Sequence, residues 1–440
     1  MYKQILVGVV LFSLSAVAVS NTVTINTMIV SVEQHPEVVA KVHATSSQRL
    51  QTNQLRAESG PQVNFSTKGN TPIARRLNTN FYRASIDDRS YLDGVISGSM
   101  TLYDFGESNA KIAANTALEL SAEYDYEDTK EAILLKLLNL VSESRRLEAI
   151  KTSLDASNSN INEALAKVKQ QYRSGVGTID EVREVELSRL DVESQLQLLK
   201  IKQQEVLNNL RQEFGLTSAA LESIYAVSQS LSQSSVSNES DLLSSITNNN
   251  VTLVSARTQA THIAEVSVIE QQMLAIEAAR KPQVQGLLTA TLYDITRGLD
   301  EYQIGGGINI ALPLFDSGRS DVQMQSAFHN ISIENDKLRA ILFEKQLTLE
   351  ELIQQIKSLE ASNSTNLVKQ GELFAKLTNL ELKQQATSGS LVARVQTQME
   401  LDQLERDLLN YDYVIIQSNL KYLRLNETLL GAFGQLEAAQ

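Results

Sequence analysis

The sequence predicts a mainly α-helical chain with a membrane β component, built from a duplicated unit of one strand hairpin followed by one long helical hairpin. Three observations carry that expectation. Two stretches alternate apolar and polar residues, long runs without Pro or Gly repeat an apolar residue every seventh position, and the whole order recurs in the second half. Composition agrees, because 19 Gly and 5 Pro in 440 residues leave few turns, which favours long helices over many short strands.

Composition also excludes chemistry. There is no Cys, so there is no disulfide, thiol nucleophile or Cys-based metal site, and the four His stand far apart at 35, 43, 262 and 329. With 39 basic and 52 acidic residues the net charge is −13, the wrong sign for a nucleic-acid binder. Carboxylates fall on helical faces like solvated charge, and no Ser, His and carboxylate set has useful spacing. An enzyme is not expected, nor a cofactor.

Residues 1–20 read as a cleaved signal peptide. Lys3 precedes an apolar run from Ile5 to Val19 that ends in the small residues Ala16-Val17-Ala18 and Ser20, and the run is short for a spanning helix. No Cys follows it, so a lipoprotein is not expected.

The first unit is expected over residues 21–215 and the second over 241–436, with a Ser-rich connector at 216–240. Leu102-Tyr103-Asp104-Phe105-Gly106-Glu107 aligns with Leu314-Phe315-Asp316-Ser317-Gly318-Arg319 at an offset of 212. The same offset carries Leu140, Leu147, Ile161 and Val168 onto Leu352, Leu359, Leu373 and Leu380. Each unit opens with a helix, Thr22 to Glu58 and Asp241 to Arg280, that stops before a Pro.

Barrel strands are expected at about 61–70 and 92–104, then at about 283–294 and 302–314. In the last of these Ile304, Ile308, Ile310 and Leu312 share one face, and Gln303, Gly305, Gly307 and Asn309 the other, fitting lipid or core on one side and water on the other. Tyr91, Tyr103, Tyr293, Tyr302 and Phe315 stand near strand ends, as an interfacial aromatic belt or ordinary hairpin packing would place them. Asp104 and Asp316 suit helix caps, Gly106 and Gly318 a sharp bend, and Pro313 a strand end without a ladder donor.

After each Asp-x-Gly a rod follows. Ile133, Leu140, Leu147, Leu154, Ile161 and Val168 recur every seven residues, and some 65 helical residues span about 100 Å. The first hairpin tip is expected near 172–180, at Tyr172 and Gly175, with the return helix carrying Val185, Val192, Leu199 and Val206. The second tip is expected near 384–396, around Gly389, with a return through Leu401, Leu408 and Ile415. Four strands cannot close a barrel, since the smallest membrane barrels have about eight, so copies of the chain must share one.

These residues resemble the TolC-like outer-membrane efflux and type I secretion channels of Gram-negative bacteria. The resemblance rests on His35-Pro36-Glu37-Val38, on Pro61-Gln62-Val63 and Pro282-Gln283-Val284, on Tyr103-Asp104-Phe105-Gly106, and on Tyr172, Gly175, Ile179 and Val182. Its most specific part is Pro313-Leu314-Phe315-Asp316-Ser317-Gly318-Arg319. It implies a homotrimer with a twelve-stranded barrel in the outer-membrane lipid, continued by a periplasmic α-helical barrel. It also implies a periplasmic adaptor and an inner-membrane pump of the ABC or RND type as partners.

Carried over by position, the resemblance makes Asp180 and Glu181 gate contacts of the first hairpin, with Glu181 at the place of an acid that pairs with an Arg. The second hairpin departs from the pattern. Gly389 stands at the Arg position, Gln384 at a Tyr position, and Ala393 and Gln396 where a ring of Asp is usual. Arg394, one residue away, is expected to pair with Glu181 or Glu184 instead. The expected function is a passive exit duct for secreted protein or small toxic molecules. A periplasmic coiled-coil adaptor or structural protein of an envelope complex would share the leader and the rods, but would not need two strand hairpins.

Overall fold

A computed structural model of the chain describes residues 27–70, 91–216, 224–225, 255–293, 295, 301–385 and 391–432. The expected signal peptide and Gly389 lie outside them, as does most of the connector. Element order is α1 (Pro36–Glu58), β1 (Gln62–Asn70), β2 (Tyr91–Tyr103), α2 (Glu107–Arg173), α3 (Ile179–Phe214), α4 (Ala256–Ala279), β3 (Gln283–Leu292), β4 (Tyr302–Ala311), α5 (Arg319–Gln385) and α6 (Leu391–Leu425). Helix dominates, with α2 and α5 of 67 residues each. The chain divides into two compact units.

The sheet-bearing unit comprises Val42–Asp125 and Thr258–Arg339. Its four strands lie in the order β1-β2-β3-β4, every neighbour antiparallel. Phe65, Ile96, Ala290 and Ile304 form one row across the sheet. Directly paired residues share a face, so this row and the Ile308 and Ile310 rows are apolar. Asn64, Ser97, Thr289 and Gly305 form a row on the opposite, polar face. Phe65, Ile304, Ile308 and Ile310 are exposed. Between α1 and α2 a polar seam joins Asn115 to the Thr52 hydroxyl at 2.9 Å and Gln48 to Asn115 at 2.7 Å.

The helical unit comprises Met1–Lys41, Tyr126–Arg257 and Ala340–Gln440. One core gathers Val38, Leu137, Leu138, Phe214 and Leu420; a second runs along α2, α3 and α6 through Leu154, Ile161, Val185, Val192 and Val395. Most of the seven-residue set is thereby buried, as a coiled-coil seam requires. Leu216 and Ile224 are buried in the first core, so the segment read as a connector opens with core residues.

One expected helix is corrected. The run from Thr22 to Glu58 is not continuous: helix over 27–33 stops at Gln34 and His35, and α1 restarts at Pro36. Proline lacks the N–H that a continuing helix needs but suits a first turn. The buried His35 accepts the Glu37 N–H on Nδ1 at 3.3 Å and lies against Phe214.

Candidate functional site at the strand ends and hairpin tips

Each strand hairpin ends in the same turn. Asp104 accepts the Gly106 N–H at 3.1 Å and the Ser108 N–H at 2.7 Å, and Asp316 accepts those of Gly318 at 3.0 Å and Ser320 at 3.1 Å. Burial pushes the Asp104 carboxyl up, but the hydrogen bonds from Ser108 and Gly106 outweigh it and hold it below the ordinary carboxylate range. Ser320, with Gly318, does the same for Asp316. The turn needs two left-handed residues in succession, Phe105 and Gly106 in one copy (φ 55° and 91°), Ser317 and Gly318 in the other (54° and 79°). Glycine carries the wider angle because it has no Cβ to clash.

Beyond Pro313, Leu314 and Phe315 are exposed, and Arg319 opens α5. In the first copy Tyr103 and Phe105 pack edge to face at 4.7 Å, both exposed. Tyr302 and Tyr293 mark the other end of β3 and β4, and the Tyr293 hydroxyl donates to Gln303 at 2.6 Å. Aromatic side chains therefore stand at both ends of the apolar sheet face.

At the first tip, helix α2 ends at Arg173 and Gly175 takes φ 79°, with Tyr172 exposed. Helix α3 opens with a capping box: Thr178 accepts the Glu181 N–H, and Glu181 accepts the Thr178 N–H at 3.0 Å. Glu181 is thus engaged locally, and Asp180 pairs with Arg183 at 3.3 Å. Arg394 pairs with Glu381 at 2.9 Å, joining the two helices of the second hairpin. Arg394 thus meets Glu381 within its own hairpin, a partner not singled out in the sequence beside Glu181 and Glu184. Glu184 instead accepts from Gln396, a contact between α3 and α6.

Sequence reasoning passed over a deeper polar cluster. Asp402 on α6 accepts from the Ser157 hydroxyl on α2 and from Gln398 at 2.6 Å, while one Arg406 nitrogen, Nη1, has no hydrogen-bond partner among the described residues. All three of Ser157, Asp402 and Arg406 are buried. Burial pushes the Arg406 guanidinium below its ordinary pKa, against the pull of Asp402. A signal was present, since Ser157 falls three after Leu154 and four before Ile161, and Asp402 falls seven after Val395. A polar residue on a heptad seam marks a specific interhelical contact.

A second cluster ties four segments of the helical unit. Glu131, fully buried on α2, receives Arg257 Nη1 at 2.9 Å and the Leu430 N–H at 3.2 Å. Glu427 pairs with Lys345 at 2.7 Å. Among the described residues no helix is long and apolar enough to cross a membrane, and no group of His and carboxylates is arranged to hold a metal.

Residues 31–216 match the model of a family described as outer membrane efflux protein. No curated protein matches the chain in sequence. Among solved structures, the outer membrane protein VceC of Vibrio cholerae is similar at 16% identity and TM-score 0.72, covering 91% of this chain and 96% of its own. The CmeC outer membrane channel of Campylobacter jejuni is similar at 11% identity and TM-score 0.72, over 92% of this chain and 86% of its own. The open state of the Neisseria gonorrhoeae MtrE outer membrane channel gives 12% identity and TM-score 0.66, over 93% and 88%. At these identities the likeness is one of fold.

Proposed function

We propose that this chain, whose residues 31–216 match the model of the outer membrane efflux protein family and whose fold is that of solved outer-membrane channels, is the passive exit duct of a tripartite secretion or efflux system. The observation that carries the reading is the sheet. It has one apolar face, one polar face, and two edges, on β1 and β4, without partners among the described residues. Unpaired edges in lipid are costly because no water satisfies their N–H and C=O groups. Copies of the chain must close it. Three copies of four strands make twelve, with the row of Phe65, Ile96, Ala290 and Ile304 toward lipid and that of Asn64, Ser97, Thr289 and Gly305 toward an aqueous lumen.

The long heptad helices fit a helical cylinder on the periplasmic side, where an adaptor and an ABC or RND pump would dock. Energy would come from the pump, as the chain has no Gly-Lys-Ser or Gly-Lys-Thr nucleotide loop. Around the tips Asp180, Glu181, Glu184, Arg394 and Gln396 are the gate candidates, with the Gln396–Glu184 contact linking the hairpins. The test is fractionation: the chain is expected in the outer membrane as a heat-resistant trimer. A soluble periplasmic monomer would favour the adaptor reading and overturn this one.

A further inference from the structure

We propose that the second strand-to-helix junction binds the head-group phosphate of an anionic phospholipid, with Leu314 and Phe315 in the acyl layer and Arg319 on the phosphate. The inference rests on the reading of the sheet as a membrane barrel and adds a specific lipid site to it. Leu314 and Phe315 are 89% and 86% exposed, more than any other large apolar side chain described. The exposed Leu312 stands between them and Ile310 at the end of β4, so exposed apolar side chains continue from the strand into this turn.

Beside them lies a cavity of about 360 Å³, lined by Lys111, Arg280 and Arg319 together with Ala275, Ile276 and Ala279 among others. The carboxylates there are already engaged. Asp316 caps α5, and Glu107 takes Lys111 at 2.6 Å and the Gln283 amide. Arg280 pairs with Asp321 at 2.9 Å. Arg319 is exposed, and its guanidinium has no ion pair or hydrogen bond among the described residues.

The fold gives no reason for a cation at this point. Arg319 opens α5, where the helix dipole disfavours positive charge. The duplicated position in the first copy is Glu107, the sign the dipole favours. A phosphodiester answers the charge of Arg319, and its acyl chains answer Leu314 and Phe315. Free phosphate would answer only the first.

The chain has no Trp, so Phe315→Trp and Ile308→Trp each give a single fluorophore in the full-length oligomer. In phosphatidylglycerol vesicles, lipids brominated at shallow acyl carbons are expected to quench the first more than deep ones do, and deep ones to quench the second. Native mass spectrometry of the detergent-solubilised oligomer is expected to show retained phosphatidylglycerol but not phosphatidylcholine. Arg319→Gln is expected to weaken that retention about tenfold, the loss of one charge-assisted hydrogen bond, with Arg319→Lys recovering part of it. Quenching of the Ile308→Trp variant but not of the Phe315→Trp variant, or retention unchanged by Arg319→Gln, overturns the site and leaves the barrel reading intact. No quenching of either variant overturns both. Displacement of the lipid by glycerol phosphate alone overturns the lipid assignment in favour of a free-phosphate site. Should Arg319→Gln not fold, the quenching pair still decides.

Discussion

The carboxylate of Asp402 on α6 accepts a hydrogen bond from the hydroxyl of Ser157 on α2, and the two side chains are buried together. This contact joins the first helical hairpin to the return helix of the second. Asp402 is also the main charge supporting the buried Arg406. Asp402→Ala would remove the largest of several carboxylate charges that support that guanidinium and the acceptor of two side-chain hydrogen bonds, and should cost about 1–3 kcal/mol. Ser157→Ala should cost about 1 kcal/mol. Guanidinium unfolding followed by helical circular dichroism checks both. Equal midpoints for Asp402→Ala and the wild type would refute the role given to this contact.

Glu131 and Arg257 carry a pH signature. Burial raises the Glu131 carboxyl above its ordinary value, against the opposing pull of Arg257. The folded state therefore holds this proton more tightly than the unfolded chain. The resulting contribution to stability is largest below the ordinary carboxylate pKa and declines as pH rises toward the raised folded value. Glu131→Gln should remove that decline, seen as a flatter dependence of melting temperature on pH through the acidic range. A variant with the wild-type slope would contradict it.

The junction glycines should be sharply intolerant. Gly106 and Gly318 sit at φ 91° and 79° with open space around them, so the penalty for Ala is conformational and not steric crowding. Each Gly→Ala there is expected to destabilise by about 1–2 kcal/mol. Gly371, inside α5 with equally open space and no such angle, should gain up to about 1 kcal/mol on the same change. Thermal unfolding of the three variants orders them, and a stabilising Gly318→Ala would refute the turn geometry.

Much of this architecture was legible because periodicity reports burial. Ile133, Leu147, Leu154, Ile161 and Val168 are buried at the spacing that marks them in the sequence. The alternation of Ile304, Ile308 and Ile310 with Gln303, Gly305 and Asn309 is the two-faced pattern of β4. Pairing was harder to read, because Arg394 and its partner Glu381 lie 13 positions apart on two helices and nothing local distinguishes Glu381 from Glu184. The break before Pro36 was within reach, since a proline marks a helix start as readily as an end. Ser157 and Asp402 were hidden because each looks like an ordinary surface residue until its place on the seam is counted.

The two faces of β4 make opposite predictions for one substitution. Ile308→Arg puts a charge on the lipid side and should cost about 2–4 kcal/mol of barrel stability, with loss of the heat-resistant oligomer on unheated gels. Asn309→Arg, on the other face, should leave the oligomer intact and shift ion selectivity toward anions. An intact oligomer for Ile308→Arg would reverse the assignment of faces.

Single-channel recording of the purified protein in a planar bilayer tests the duct most directly. Discrete conductance steps are expected for the wild type, with higher open probability for Arg394→Glu, which breaks the pair with Glu381, and for Asp402→Ala. Folded, membrane-inserted trimers that stay silent in all three forms at every voltage and pH would contradict it.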